Sequence, residues 1–472
     1  MSRYHRNLLS CGFILLCSLI LVAPSFAQFE TRGEFMTSEG PLSIAVGDFN
    51  HDGKLDLAVT SVDTNDNNVA ILLGRGDGTF LPARYYTVGV SPYSIVAVDL
   101  NHDGNLDLAV ANSLSNYVSI LLGNGDGTFR SGPQSPAVPQ PASLIATGDF
   151  NGDGEPDLVA TGYNVISVLL GNGDGTFQNA VVTSPTFSVS SIGTGDFNGD
   201  GKLDLATAGS FGFEASVNIL LGNGDGTFRY GASYPGGTAP AAIAVADLNR
   251  DHKLDLAIAD SEGNGIGVML GRGDGTFRKA VNYPTRFPSW VTTADVNGDH
   301  IPDLVAANFE FSSGASVLLG NGDGTFRPGR FYRGGRATTY VATGDFNSDG
   351  KIDLVLTNYR FDDVVVLLNT GEITFSPTTP LKFGTQAAGT TSAPQTVTLT
   401  NRGTAELEIS SMEIKGEFGM KSTCGKNVAP GAICSINVTF SPQTQGLKAG
   451  TITLNDTASS KPQVIKLLGT GT

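Results

Sequence analysis

An acidic segment recurs seven times along the chain, and this repeat constrains the fold more than any other feature of the sequence. The first copy reads DFNHDGKLDLAV from residue 48, and every copy begins with an aspartate. A period of about 50 residues is typical of chains built from repeated structural units. The leading aspartates lie 47 to 51 residues apart, at Asp48, Asp99, Asp149, Asp196, Asp247, Asp295 and Asp345.

A second motif follows each acidic segment. It reads LLGRGDGTF in the first copy and LLGNGDGTF in four others, and the seventh copy, LLNTGEITF, is degraded. The first copy contains Arg75-Gly76-Asp77, the tripeptide of cell-adhesion ligands. Asparagine replaces this arginine in four copies while the glycines and aspartate stay, so we interpret the shared GxGDGTF as a tight turn rather than an adhesion motif.

Each unit carries four apolar runs of strand length, divided by Gly and Asp and without helical periodicity. Four short strands repeated seven times predict an all-β, seven-bladed β-propeller, with an open solenoid as the competing architecture. The N-terminal QFETRGEF (28–35) favours closure, because Phe29 precedes Asp48 by 19 residues and occupies the register of a fourth strand. We expect it to complete the seventh unit and so remove the open edges.

The pattern DxNxDGxxDL followed by LLGxGDGTF resembles the FG-GAP and VCBS repeats of the integrin α-chain head and of many secreted bacterial propellers. The resemblance covers residues 28–375 and implies calcium sites in the acidic segments. Alternating acids suit calcium independently, since this ion takes six to eight oxygen ligands in flexible geometry. One such segment alone could be a plain acidic turn, whereas seven in register favour up to seven calcium ions.

The spacing of the acids indicates how a site would form. Asp48, Asn50 and Asp52 lie two residues apart, so a turning loop brings their side chains to one point, and Gly53 permits the positive φ of the turn. We number the positions of each segment from its leading aspartate. The resemblance implies that the backbone carbonyl of the seventh position, Lys54 in the first copy, and the aspartate at the ninth position complete each site. The predicted metal ligands are Asp48, Asn50, Asp52, Asp56; Asp99, Asn101, Asp103, Asp107; Asp149, Asn151, Asp153, Asp157; Asp196, Asn198, Asp200, Asp204; Asp247, Asn249, Asp251, Asp255; Asp295, Asn297, Asp299, Asp303; and Asp345, Asn347, Asp349, Asp353.

Two copies depart from the pattern at the turning glycine. His252 and His300 take its place, and we expect weaker calcium sites at Asp247 and Asp295, because histidine tolerates the left-handed region less well than glycine. The remaining histidines beyond residue 27, His51 and His102, also lie in these segments. No histidine is left for a catalytic pair or a zinc site.

The ends of the chain predict two further domains. Residues 1–27 read as a cleaved secretory signal peptide rather than an uncleaved anchor, because the apolar run from Leu8 to Val22 is short for a span. Residues 28–376 form the predicted propeller, and residues 377–472, with alternating short strands, predict a β-sandwich. LKFG, VTLTNRGTAEL and CSINVTFSP in this last segment resemble the abnormal-spindle/Hydin type of immunoglobulin-like domain, for which a spacer or docking role is the default.

Export determines how the cysteines and the charge are interpreted. Cys424 and Cys434 are the two cysteines outside residues 1–27, and an oxidising compartment favours a disulfide over a reactive thiol pair. Without residues 1–27 the chain holds 27 Lys and Arg against 45 Asp and Glu, so its formal net charge is −18. This balance argues against nucleic-acid partners. We expect a secreted or cell-surface monomer without a transmembrane segment beyond the signal peptide.

Antiparallel strands place the acidic segments and the GxGDGTF turns at one end of the units. Aromatic residues gather at the other end, and exposed aromatics in loops are typical of sugar and protein contacts, although several could instead seal the interfaces between units. We therefore predict a non-enzymatic binding or adhesion module for carbohydrate or extracellular protein. The alternatives are a polysaccharide-acting enzyme of the propeller-lyase kind and a structural surface or matrix component. The candidate ligand contacts are Tyr93, Tyr163, Phe213, Trp290 and Tyr359.

Overall fold

All regular structure in the described part of the chain is β-strand. The computed structural model describes residues 28–62, 67–185, 187–211, 214–263, 265–309, 314–370, 373–377, 380–401, 407–429, 431–456 and 462–472. The proposed signal peptide and Phe213 lie outside these ranges. Within them, no helix is long and apolar enough to cross a bilayer. The chain divides at Phe375 into two compact units.

Seven four-stranded antiparallel sheets form the N-terminal unit. We number them by their acidic segments. Their strands, with each sheet in hydrogen-bonding order, are: sheet one, β2 (Pro41–Gly47), β3 (Asp56–Ser61), β4 (Asn68–Leu72), β5 (Arg84–Thr87); sheet two, β6 (Pro92–Val98), β7 (Asp107–Asn112), β8 (Val118–Gly123), β9 (Phe129–Ser131); sheet three, β10 (Leu144–Gly148), β11 (Asp157–Gly162), β12 (Val165–Leu169), β13 (Val181–Thr183); sheet four, β14 (Ser191–Gly195), β15 (Asp204–Phe211), β16 (Glu214–Gly222), β17 (Phe228–Pro235); sheet five, β18 (Pro240–Ala246), β19 (Asp255–Asp260), β20 (Gly265–Met269), β21 (Val281–Pro284); sheet six, β22 (Pro288–Ala294), β23 (Asp303–Asn308), β24 (Gly314–Leu318), β25 (Arg330–Arg333); sheet seven, β26 (Val341–Gly344), β27 (Asp353–Asn358), β28 (Asp363–Asn369), β1 (Phe29–Met36).

The N-terminal strand completes the seventh sheet, which confirms the expected join. β1 pairs antiparallel with β28, from Phe29 opposite Asn369 to Met36 opposite Asp363. Phe29 is buried and packs edge-on against Tyr332 of sheet six, with ring centroids 5.0 Å apart. The two ends of the repeat region are thus held in one sheet by backbone hydrogen bonds.

The core lies between the sheets rather than inside any one of them. Each of seven apolar clusters joins two consecutive sheets, and one of them joins sheet seven to sheet one through residues such as Leu57, Phe80 and Phe346. The second strand of every sheet has side chains buried on both faces, as in Leu57 and Ala58 of β3. This cyclic packing of repeated four-stranded sheets is consistent with a propeller.

The C-terminal unit contains two sheets that share one apolar core. Val397, Ile436, Phe440 and Leu467 are fully buried in it, and burial alternates along β35 as expected for a strand with one face in the core. A disulfide joins Cys424 to Cys434. The strands, in sheet order, are β29 (Ile373–Ser376), β31 (Gln395–Asn401), β35 (Ile433–Phe440), β33 (Phe418–Ser422) in one sheet, and β30 (Leu381–Gln386), β37 (Gln463–Gly471), β36 (Gly446–Asp456), β32 (Leu407–Lys415), β34 (Asn427–Val428) in the other.

Candidate metal-binding loops and the opposite end of the sheets

The acidic segments and the GxGDGTF turns lie together at one end of the seven sheets, which we call the acidic end. Each acidic segment joins the first strand of its sheet to the second, as residues 48–55 join β2 to β3. Each GxGDGTF turn joins the third strand to the fourth. The turns between the second and third strands, and the connections between sheets, therefore lie at the opposite end.

The seven acidic loops share one set of backbone hydrogen bonds. In every loop, the sixth-position N–H donates to Oδ2 of the leading aspartate, at 2.7 to 3.0 Å. The seventh-position N–H donates to Oδ1 of the fifth-position aspartate in every loop, as Lys54 does to Asp52. These bonds wrap the chain around its own carboxylates, so the loops share one conformation.

The side-chain oxygens of the first and third positions converge on a single point. In the first loop, the N–H of Asp52 donates both to Asp48 Oδ1, at 3.1 Å, and to Asn50 Oδ1, at 3.0 Å. The fifth-position N–H makes the same two hydrogen bonds in five other loops. In the second loop, the N–H of Asp103 donates only to the side-chain oxygen of Asn101. Spacing by two residues therefore brings the oxygens of the first and third positions to one N–H group, whereas the fifth-position carboxylate accepts the N–H of the seventh position, so convergence of all three side chains stays a prediction.

The ninth-position aspartate ties the loop to the GxGDGTF turn of the same sheet. Asp56 is fully buried, and its two oxygens accept the N–H groups of Phe49, at 2.9 Å, and Gly74, at 2.7 Å. The equivalent pair of bonds occurs in all seven sheets, with Asn369 in place of the glycine in the seventh. Sequence reasoning missed this role, because the glycine lies 14 to 18 residues further along the chain.

Burial raises the pKa of all seven ninth-position aspartates. The two N–H donors lower the pKa only partly, and the carboxylates at the first and fifth positions raise it further. A nearby cation would favour the charged form of such a group. The pKa rises to about 6 for Asp56, Asp157 and Asp255, to about 7 for Asp303 and to about 8 for Asp353, and it is also raised for Asp107 and Asp204.

The two histidine-containing loops keep the common conformation. His252 has φ of 65° and His300 has φ of 63°, and each donates the same backbone bond to its leading aspartate. Space is available for the larger side chain, since a Cβ placed on the equivalent Gly53 meets nothing within 4 Å. The His252 ring is 98% exposed. Substitution at this position therefore strains the backbone but does not rearrange the loop.

The loops present an oxygen-rich donor set that fits a hard divalent cation. Within the described residues, no three Asp, Glu, His or Cys side chains are grouped to hold a metal ion. A site in these loops thus requires the asparagine oxygen and backbone carbonyls beside the aspartates. Both suit calcium, and an oxygen that accepts one N–H keeps a further lone pair. In the first loop, the ammonium of Lys54 already lies 2.8 Å from Asp52 Oδ2, which shows that this oxygen is open to a cation.

In five sheets, the last glycine of the GxGDGTF turn donates a backbone hydrogen bond to the preceding sheet. The N–H of Gly127 in sheet two donates to the carbonyl of Phe49 in sheet one, at 2.9 Å. A Cβ on Gly127 would lie 2.8 Å from Leu73, also of sheet one. Gly78 of sheet one makes the equivalent bond to Phe346 of sheet seven, so the linkage continues across the join.

Arg75-Gly76-Asp77 lies inside one of these turns. Asp77 Oδ1 accepts the N–H and the hydroxyl of Thr79, and the Asp77 carbonyl accepts a bond from the Arg32 side chain. The hydrogen bonds from threonine to aspartate recur in the other five intact turns. The aspartate of the tripeptide therefore stabilises a repeated turn.

The predicted ligand contacts do not form one cluster at the opposite end. Tyr163 is 79% exposed on sheet three, whereas Tyr359 follows β27 of sheet seven. Tyr93 is partly exposed near Tyr359, and burial together with Tyr359 raises the Tyr93 pKa. Trp290 is half-buried and stacks on Tyr340, with ring centroids 4.3 Å apart. It packs against the core clusters on both sides of sheet six, so much of this ring seals interfaces.

Two family descriptions match the sequence. The FG-GAP-like repeat matches residues 48–110, 99–160, 149–207, 196–258, 247–306 and 295–356. Each of these six spans begins in one acidic segment and ends in the next, so together they cover all seven segments. The HYDIN/CFA65/VesB-like, Ig-like domain matches residues 371–470, which include all but the last residue of the strands of the two-sheet C-terminal unit. No curated protein matches the chain.

Solved structures are similar to parts of the chain. A putative 6-phosphogluconolactonase from Bacteroides fragilis is 15% identical, with 67% of this chain and 98% of that protein covered, at a TM-score of 0.50. An Agrocybe aegerita lectin that recognises non-reducing terminal N-acetylglucosamine is 20% identical, with 69% of this chain and 87% of the lectin covered, at a TM-score of 0.46. A PapD-like domain of human CEP192 is 13% identical, with 22% of this chain and 86% of that domain covered, at a TM-score of 0.18. Of these three, only the first reaches 0.5, and it is a likeness of fold alone.

Proposed function

This chain belongs to the FG-GAP-like repeat family, and on that basis we propose that it is an exported, calcium-stabilised, seven-bladed propeller that acts as a non-enzymatic binding or adhesion module. Its ligand is a carbohydrate or an extracellular protein. Seven sheets, seven cores between sheets and the pairing of β1 with β28 support a ring of seven blades. The apolar run at residues 8–22 supports export.

One observation carries the calcium proposal, namely the two hydrogen bonds that all seven acidic loops share, from the sixth-position N–H to the leading aspartate and from the seventh-position N–H to the fifth-position aspartate. FG-GAP repeats typically bind calcium, and the carboxylates at the first and fifth positions with the amide oxygen at the third would hold the ion here. The ninth-position aspartate was predicted as a further ligand, but both of its oxygens accept backbone N–H groups, so we assign it to the support of the loop. Bound calcium supplies positive charge beside a buried carboxylate, which favours the ionised form of the ninth-position aspartate. In its ionised form, this aspartate accepts the two backbone N–H groups strongly and so holds the loop against the turn.

The binding proposal rests on the contrast between the two ends. Hydrogen bonds and close packing fix the acidic end, so it serves as a rigid base. The opposite end consists of loops of different length that carry exposed aromatic rings, and loops held by a rigid scaffold are where binding sites concentrate. Repeat lengths of 47 to 51 residues leave little room for the insertions that catalytic loops usually need.

Screening the calcium-loaded protein on glycan and extracellular-protein arrays, with chain-length analysis of any polysaccharide it binds, tests this function. We expect saturable binding to at least one ligand and no change in its chain length. Depolymerisation of a bound polysaccharide would contradict the non-enzymatic role. Absence of binding to every class of glycan and protein would contradict the binding role.

A further inference from the structure

Positive charge at the opposite end is confined to two of the seven sheets. By sequence, the connections at this end carry no Lys or Arg before the segment that joins β21 to β22. From there on they carry Arg286, Arg336 and Arg360, and Arg333 ends β25. In a chain with 45 acidic and 29 basic residues, four arginines on neighbouring sheets make a local surface of opposite charge.

Two of these arginines lie over aromatic rings. The Arg286 guanidinium carbon is 5.1 Å from the centroid of the Phe331 ring, and that of Arg336 is 5.0 Å from the Phe361 ring. Among the described residues, neither guanidinium forms an ion pair. A guanidinium group placed over a ring spends no N–H donor on an acid, and its donors suit side-on binding of a carboxylate or sulfate group.

Three exposed aromatic residues also lie on the connections of sheets six and seven at this end. Phe287, Phe309 and Phe361 are 40%, 48% and 45% exposed. The N–H of Phe309 donates to the carbonyl of Phe287 at 3.0 Å, which holds these two residues side by side. Hydrogen bonds also fix the loops of sheets six and seven to each other, since the Thr338 hydroxyl donates to the carbonyl of Asn308. The surface is therefore preformed.

The conformation of Phe287 indicates that its ring has a use at the surface. Four equivalent residues, each eight positions before a leading aspartate, have positive φ: Gly40 at 68°, Ser91 at 56°, Phe287 at 37° and Ala337 at 56°. The other three are small. An aromatic residue in the left-handed region is disfavoured, and such residues concentrate at functional sites. Phe287 is 40% exposed and belongs to none of the seven apolar clusters between the sheets.

Two acidic residues of sheet seven that the structure describes beside the surface, Asp362 and Asp363, are engaged elsewhere. Asp362 Oδ1 accepts the N–H of Gly40 on sheet one, at 3.0 Å. Asp363 is buried and accepts a bond from the side chain of Asn358. Neither carboxylate is directed at the stacked guanidinium groups.

We infer that Arg286, Phe287, Phe309, Arg336 and Phe361, the arginine patch, bind an anionic polysaccharide. The guanidinium groups contact carboxylate or sulfate groups, and the exposed rings pack against the apolar faces of the sugars. An acidic polypeptide supplies carboxylates but no such sugar faces, so the three exposed rings favour the polysaccharide. The inference rests on the proposed binding function and specifies its ligand.

Binding titrations test the patch with the full calcium-loaded chain. The probes are polygalacturonate for carboxylates, dextran sulfate for sulfates, neutral dextran, and poly-L-glutamate. We expect the wild-type chain to bind at least one of the two anionic polysaccharides at least tenfold more tightly than dextran or poly-L-glutamate. Arg286→Gln with Arg336→Gln should lower that affinity at least tenfold, and the corresponding pair of lysine substitutions should restore only part of it, because lysine lacks the planar fork.

A control with the same charge change separates a local contact from a general field. Arg130→Gln with Arg229→Gln removes two exposed arginines from the outer strands β9 and β17, and it should change the affinity less than twofold. Equal losses in the two double variants, or poly-L-glutamate bound as tightly as the polysaccharide, would overturn the arginine patch. Binding of another glycan or protein that both variants retain would also overturn it and leave the proposed function standing. A wild-type chain that binds nothing would overturn both. Unchanged melting temperatures show that the variants are folded.

Discussion

At the acidic end, Asp56 and its six equivalents bind the same two backbone positions in every sheet. At the opposite end, the connection between sheets ranges from residues 285–287, before β22, to residues 132–143, before β10. The same seven sheets thus end in a uniform surface on one side and a varied surface on the other. Uniformity on one side fixes the ring, and this leaves the loops on the other side free to differ.

The largest mutational effect should come from a ninth-position aspartate. Asp204→Ala removes the acceptor for the N–H groups of Phe197 and Gly222, and leaves both unpaired inside the protein. We expect the free energy of unfolding to fall by about 2–4 kcal/mol, measured by urea denaturation. Asp225→Ala in the GxGDGTF turn of the same sheet is the control, since exposed Asp225 bonds only to Thr227 of its own turn, and we expect this variant to lose clearly less stability than Asp204→Ala. Equal losses would mean that burial of Asp204 has no special role.

A second comparison isolates the contact between neighbouring sheets. Gly127 and Gly152 have nearly the same φ, 77° and 76°, but a Cβ meets Leu73 at 2.8 Å in the first case and nothing within 4 Å in the second. Gly152→Ala should cost about 1 kcal/mol from backbone strain alone, whereas Gly127→Ala should cost about 2–3 kcal/mol, because the buried Leu73 side chain of the neighbouring sheet must also move to make room. Thermal unfolding of the two variants measures the difference. A smaller loss for Gly127→Ala would contradict the close packing of turn on sheet.

The smallest effect concerns the histidine-containing loops. His252→Gly removes a side chain that lies 98% in solvent and relieves a φ of 65°, so it should stabilise the protein by about 0.5–1 kcal/mol. The same substitution should tighten calcium binding at this loop. Calcium titration of the variant beside the wild-type chain checks this, with Gly201→His as the reverse change. Tighter binding by Gly201→His would contradict the strain that we assign to histidine.

The sequence predicted the features that repeat along the chain. It did not predict the features that depend on one contact between residues far apart in sequence. The period gave the strands, and the register of Phe29 gave the pairing of β1 with β28. The pair of hydrogen bonds that Asp56 accepts was missed, because one donor is the N–H of Gly74. No local pattern marks a contact 18 residues away. Trp290 was expected at the surface, but it stacks on Tyr340 of the next sheet, and a sequence does not show which way a side chain at a strand end turns.

Differential scanning calorimetry tests most directly whether calcium holds the acidic end together, as we propose. The chain is heated in ~1 mM calcium and again in excess EDTA, with magnesium as the control cation. If each site has a Kd near ~0.1 mM, calcium adds roughly 1.4 kcal/mol per site, or on the order of 10 kcal/mol for seven independent sites. We predict that EDTA lowers the unfolding temperature of the propeller by more than about 10 °C, and that magnesium does not restore it. An unfolding temperature unchanged by EDTA would contradict the account.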